Sequence, residues 1–231
     1  MQDGLPRCQL EVIALTVVDG LAAERGGADR LEVVAAMDAD GLLPDTEVVR
    51  RMRDSVTIPL RVMLRSRRGF GTDPKELEAL CEVARRLKDA GVDQFVFGFL
   101  TEEGELDCPA MLALCAAATP RAWTLHRAFD QAVDAERAFD ACKRLPGLDL
   151  ILSSGGTVSL ESGRSALCAR ADWQTAGLRW LAGGGLRLAD IPVLRGFGVT
   201  QFHSGRAVRM GGHWDAPINE HNVRQLKEAL T

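Results

Sequence analysis

Short apolar runs and longer amphipathic stretches alternate along this chain. Five runs share one grammar: GGADRLEVV from Gly26, AGVDQFVFG from Ala90, PGLDLILSS from Pro146, AGLRWLAGG from Ala176 and FGVTQFHSG from Phe197. In each, a glycine precedes a stretch rich in Val, Leu, Ile or Phe. Glycine just past a helix supplies the left-handed residue that ends it. The apolar run that follows is too short for a helix and suits a strand buried on both faces, as in parallel sheets. QLEVIA from Gln9, IPLRVMLR from Ile58 and RAWTLH from Arg121 fit the same description.

Amphipathic stretches fill the gaps. The clearest is PKELEALCEVARRLKDAG from Pro74, with Leu77, Leu80, Ala84 and Leu87 on one face. Asp73 is placed to cap it, with proline at the first helical position. Strands alternating with helices in this way predict an α/β fold, a single (β/α)8 TIM barrel spanning residues 1–231. An open doubly wound sheet is the competing architecture, but no GxGxxG follows the first strand.

The loops carry a second signal. Helix-to-strand turns are short, whereas DADGLLPD, RSRRGFGTDP, SSGGTVSLESGRS and SGRAVRMGGHWDAP follow strands. In barrels the loops after strands hold the working site. The strand ends read in order as Glu11, Glu32, Arg65, Gly98, His126, Ser153, Gly184 and His203. A carboxylate or imidazole inside a buried strand is costly unless paired or used. Glu11 and Glu32 are therefore site candidates, with structural pairing to arginine as the plain alternative. LHRAFD is the densest cluster: His126 can exchange protons near neutral pH, Arg127 follows, and Asp130 either orients the imidazole or caps the next helix.

Composition narrows the function. The formal net charge is −4 and there is no basic tract, so nucleic acid is not an expected partner. No apolar stretch approaches the roughly 20 residues that span a bilayer, and MQDGLPRCQLEV does not read as a signal peptide; a cytoplasmic location is expected. The six cysteines show no C-x-x-C pair, and Cys81, Cys108, Cys115, Cys142 and Cys168 fall in helical segments, so reduced, partly buried thiols are expected. All four lysines also fall in helical segments, which argues against Schiff-base chemistry at a strand end. Acid–base chemistry of a lyase, isomerase or hydrolase kind remains.

AGGGLRLADI from Ala182 and FHSGRA from Phe202 follow the seventh and eighth strands, where many barrels bind phosphate through glycine amides. Gly184, Gly185 and Ser204 are the expected anion ligands, and Ser154 belongs to a weaker version of the same signal. Arg65, Arg67 and Arg206 are placed to complete an anion pocket. A valine at Gly184 is expected to fill that space and leave the fold intact. His203 joins the catalytic candidates; His213 and His221 match no metal-binding spacing.

ERGGADRLEV, IPLRVMLRSRRG, VFGFLTEEGELD, WTLHRAFD, ILSSG, AGGG and QFHS occur together in the order seen in the CutC copper-homeostasis family, which this chain resembles over nearly its whole length. The resemblance implies a TIM barrel, a cytoplasmic homo-oligomer, a link to copper tolerance and copper binding, and shared polar positions at Glu11, Glu32, Arg65, His126, Arg127, Asp130 and His203. Ile13 and Val34 stand where family members commonly carry cysteines near the ends of the first two strands. RSRRGF replaces an RPRGGD-like segment, and the C-terminal part is shorter than usual.

Three readings follow. One is an enzyme for a small anionic, phosphorylated metabolite, with Glu11 as base and His126 as acid. Another is a copper-binding or copper-trafficking protein without enzymatic activity; copper(I) prefers thiolate and thioether ligands, so the missing cysteines weigh against a thiolate site. The third has Glu11, Glu32 and His126 holding a divalent metal as Lewis acid.

Overall fold

The computed structural model describes residues 7–175 and 177–231. Its strands are β1 (Gln9–Ala14), β2 (Arg30–Val33), β3 (Leu60–Met63), β4 (Gln94–Phe97), β5 (Ala122–Leu125), β6 (Leu148–Ser153), β7 (Arg179–Ala182) and β8 (Gln201–Ser204). All pair in parallel and in sequence order, and β8 closes on β1 with Glu11 opposite His203. The barrel and its alternation with helices are as the pattern predicts.

The helices are α1 (Val17–Arg25), α2 (Thr46–Ser55), α3 (Pro74–Asp89), α4 (Cys108–Ala118), α5 (Ala135–Cys142), α6 (Leu160–Ala169), α7 (Asp190–Gly196) and α8 (Glu220–Ala229). Asp73 caps α3 as expected, its carboxylate accepting from the Glu76 amide at 2.9 Å. Among the described residues no helix is long and apolar enough to cross a membrane.

The strand interior differs from the expectation of runs apolar on both faces. Side chains alternate along a strand. The outward set is apolar: Leu10, Val12, Leu31, Val33, Leu60 and Val62 pack with the helices in one large cluster. The inward set on the same strands is charged: Glu11, Arg30, Glu32 and Arg61, all buried. These charges are paired. Arg61 donates to Asp149 at 2.6 and 2.8 Å and to Thr124 Oγ1 at 2.5 Å. Arg30 Nε donates to Glu11 at 2.5 Å. Burial of an ion is costly alone, and Glu11, Arg30 and Arg61 each have a counter-ion within contact distance. The apolar part of the interior is confined to two small clusters. Ile13, Val34, Met63 and Val96 form one, and Leu150, Leu152 and Leu181 the other.

Candidate functional site

A cavity of about 680 Å³ lies over the C-terminal ends of the strands. Glu32, Arg65, His126, Arg127, His203, Ser204, Gly184 and Gly185 all lie on its wall, so these candidates do converge at one end of the barrel. Met37, Met63, Phe70 and Trp214 supply apolar surface on the same wall.

The floor is built from β1, β2 and β8. Glu11 lies one level below the cavity wall. One of its oxygens accepts from Arg30 and the other lies 2.8 Å from His203 Nδ1. Burial pushes the Glu11 carboxyl up, but Arg30 and His203 outweigh it and hold the group well below the usual carboxylate range. A carboxylate held so firmly ionised, with both oxygens engaged, is a poor proton acceptor. With both oxygens engaged and no place on the cavity wall, Glu11 is set to orient His203 and not to meet a molecule in the cavity as the expected base would. His203 Nε2 lies 3.7 Å from Glu32 on the cavity side. Burial disfavours the charged imidazole, yet the Glu11 hydrogen bond and the two carboxylates raise its pKa. Glu32 moves toward it from the other direction: burial pushes its carboxyl up to about 7, against the attraction of His203 and with the repulsion of Glu11. Each of the two groups thus favours its protonated form more than it would in water.

His126 follows β5 directly and differs in every respect. Its Nδ1 accepts the main-chain amide of Ala128 at 3.2 Å. A main-chain N–H can only donate, so Nδ1 carries the lone pair and Nε2 carries the proton. Burial and the nearby Arg65 push its pKa down to about 3, which favours the neutral ring over the proton-donating imidazolium. Nε2 is buried and has no hydrogen-bond partner among the described residues. Phe70 covers the ring, centroid to centroid at 5.1 Å, and Arg65 lies 5.4 Å from the same phenyl ring. Arg65 donates to the carbonyls of Ala39 and Gly41, at 2.7 and 3.1 Å.

Two glycines make room for the two imidazoles. A Cβ at Gly98 would meet Leu125 and approach His126 Nδ1 to 3.1 Å; a Cβ at Gly183 would lie 2.6 Å from Leu152 and 3.0 Å from His203. A methyl group at either place displaces the end of a leucine and sits tightly against the imidazole.

Asp130 neither reaches His126 nor caps the following helix, which Asp134 caps. Its fully buried carboxylate ties down the loop after β6. It accepts from Ser153 Oγ at 2.6 Å, from the amides of Ser154 and Gly156 at 2.8 and 3.0 Å, and from Arg127 Nε at 3.0 Å. Ser154 is likewise structural and off the cavity wall: its hydroxyl accepts from Arg127 and lies 2.6 Å from the Thr157 carbonyl. Arg67 is half-exposed and paired with Asp73 and Glu76, outside the cavity. Beside this loop, Gly155 and Gly163 pack backbone against backbone, so a Cβ on either would run into the other segment's main chain.

The loops after β7 and β8 complete the wall. Gly184 and Gly185 have φ of 88° and 97°, the left-handed region that favours glycine. Among the described residues, the amides of Gly184, Gly185, Leu186, Gly205, Arg206 and Ala207 donate to no protein acceptor. The Ser204 hydroxyl is buried and equally unpartnered. A side chain at Gly184 would not point into this space as expected. Its Cβ would lie 2.9 Å from that of Ser154, on a backbone that L residues rarely adopt, so a valine there strains the fold.

Neither a Glu11–Glu32–His126 metal site nor a thiolate copper site fits these donors. Both oxygens of Glu11 are engaged, and among the described residues no three His, Cys, Asp or Glu side chains cluster as a metal site would require. None of the cysteines lies on the cavity wall. Burial pushes the Cys115 thiol up to about 11 and that of Cys142 to about 12, far from the thiolate that binds copper. Arg30, Gly183, Phe70 and Trp214 are parts of the site that sequence reasoning missed. The i, i+2 spacing of Arg30 and Glu32 was the signal for Arg30, since it places both on one strand face.

Comparison with known proteins agrees with this architecture. The model of the CutC family matches residues 8–208. A CutC family protein of Klebsiella pneumoniae subsp. pneumoniae is 36% identical over 209 residues, covering 89% of this chain and 81% of that protein. The human copper homeostasis protein cutC homolog is 34% identical over 206 residues, covering 88% of this chain and 75% of that protein. The crystal structure of CutC from Streptococcus agalactiae superposes with a TM-score of 0.78 at 23% identity, over 86% of this chain and 98% of that one, and shares the barrel. With the matched segment running through all eight strands, the chain belongs to the CutC family.

Proposed function

We propose that the cavity binds a small anionic, phosphorylated metabolite and carries out acid–base chemistry on it with the Glu32–His203 pair. The observation that carries this reading is the set of unpartnered donors where the loops after β7 and β8 meet: main-chain amides from both loops and the Ser204 hydroxyl. The amides at Gly185, Arg206 and Ala207 are open to solvent, whereas the Ser204 hydroxyl is buried, and a buried donor without an acceptor costs about 1–3 kcal/mol. An oxyanion satisfies several such donors at once. Arg127 stands beside them, its Nη1 3.5 Å from where a Gly184 Cβ would be. Glu32 and His203 lie on the same wall, where a proton can be exchanged with the bound molecule.

Thermal unfolding in phosphate tests the reading. At a phosphate concentration about 100-fold above Kd, linkage gives roughly 2.7 kcal/mol of stabilisation, a rise of roughly 5–10 °C for a chain of this size. Ala207 is exposed on the cavity wall, so Ala207→Asp adds a repelling carboxylate without disturbing the core. That variant is expected to lose the phosphate effect and keep the wild-type melting temperature in phosphate-free buffer. No stabilisation of the wild type by phosphate, sulfate or a phosphorylated metabolite would remove the basis of the proposal.

A second reading rests on Met37 and Met63, whose thioethers are soft donors on the same wall. In it the protein handles copper(I) and catalyses nothing. Titration with copper(I) against a strong chelator decides it. A stoichiometric complex abolished by Met37→Leu and Met63→Leu supports copper handling. No competition with the chelator is expected if the anion reading holds.

A further inference from the structure

Two donors on the cavity wall stand apart from the anion loops. The His126 ring is fixed with its only proton on Nε2, and that atom is buried without a partner. Arg65, held by two carbonyls on the loop after β2, uses Nε and Nη2 for them, and its Nη1 donates to no acceptor among the described residues. Phe70 lies against both side chains. A neutral imidazole N–H next to a guanidinium suits an oxygen that gains negative charge during reaction. It does not suit a group that needs a proton delivered. On the β1, β2 and β8 side of the same cavity stand Glu32 and His203, with Glu11 fixing the tautomer of His203 from below.

We infer that the metabolite carries a carbonyl next to an acidic C–H bond, that His126 and Arg65 hold the carbonyl oxygen, and that Glu32 and His203 move the proton at the neighbouring carbon. This deepens the anion-binding reading and rests on it. The step balances without any further reactant. The C–H bond breaks and its proton passes to the Glu32 carboxylate. The electron pair forms a C=C bond as the carbonyl π electrons move to oxygen. The resulting enolate oxygen is stabilised by His126 Nε2–H and Arg65. Return of a proton from Glu32 to the same carbon restores the carbonyl and gives exchange with solvent. Preorganised donors of this kind act because they need no rearrangement as charge develops. The carbonyl oxygen would also supply the acceptor that Nε2 lacks.

Proton exchange into deuterated water tests the inference, with dihydroxyacetone phosphate and ribulose 5-phosphate as probes and 1H NMR as the readout. Loss of the signal from the proton next to the carbonyl is expected for at least one probe. Glu32→Gln and His126→Leu are each expected to slow it about 100-fold or more, while His126→Gln, which keeps an N–H donor, retains most of the rate. Both slow variants are expected to keep their stabilisation by phosphate. A wild type that phosphate stabilises but that exchanges neither probe overturns the carbonyl inference and leaves the anion reading standing. A wild type that phosphate does not stabilise overturns the anion reading first. The 15N spectrum of the wild-type imidazoles gives a check free of variants: His126 is expected as the neutral Nε2–H form down to about pH 5, well below the ordinary histidine pKa. Finding the proton on Nδ1, or titration near neutrality, would overturn the assignment.

Discussion

His126 and His203 occupy equivalent places, each at the end of a strand, each buried, each against a glycine of the preceding strand's end. Their neighbours make them opposites. Around His203 the partners are carboxylates, which favour its proton. Around His126 they are a main-chain amide, a phenyl ring and a guanidinium, which exclude it. In the proposed chemistry one side of the mouth handles protons and the other is a fixed donor. Residue type and position on the barrel do not set the role of an imidazole; the charge of what faces it does.

The strongest way to break this contrast is Glu11→Ala. It strips His203 of its orienting partner and leaves Arg30 as a buried charge without a counter-ion. The expected loss is about 3–5 kcal/mol by urea unfolding, and the pKa of His203 followed by NMR should fall toward the behaviour of His126. An unchanged His203 titration would show that Glu11 does not set it. Next in size are Gly98→Ala and Gly183→Ala, each forcing a methyl group between backbone and a buried ring, at about 1–3 kcal/mol. Nothing within 4 Å surrounds a Cβ at Gly177, so Gly177→Ala is the matched control and is expected to cost far less.

The effect confined to a pH window is that of Glu32→Gln. The Glu32 carboxyl is raised from 4.5 to about 7 on folding, so the folded state holds its proton longer than the unfolded chain does. That contribution is complete below about 4.5 and is lost as pH rises to about 7. Glutamine has no proton to lose. Relative to the wild type, Glu32→Gln is therefore expected to gain stability, up to roughly 3 kcal/mol, between those limits. A constant difference across that range would mean that Glu32 ionises freely in the fold.

Much of this was legible beforehand. Alternating runs and long loops after strands gave the barrel and its working end. The positions of Glu32, Arg65, His126 and His203 on one cavity wall followed from strand ends alone. What failed was the assignment of partners, because pairing is three-dimensional. Glu11 and Glu32 look alike in QLEVI and RLEVV, yet one meets Arg30 and the other meets an empty space beside His203. Asp130 looks like a helix cap in HRAFD, but its acceptors are spent on a loop more than twenty residues away in sequence. Arg67 lies two residues past Arg65 on the same loop, and the chain turns it back toward α3. Ser154 and Gly184 appeared as independent anion ligands, whereas they pack against each other.

The contact between Gly155 and Gly163 has a consequence for anyone who wishes to redesign the entrance. With no side chain between α6 and the loop after β6, that part of the rim has no slack and nothing to trim. Gly205 is similarly closed in by Trp214. Widening the aperture for a bulkier guest therefore means shortening Phe70 or Trp214, the two large rings on the wall. The glycine segments are the frame on which any such remodelling has to hang.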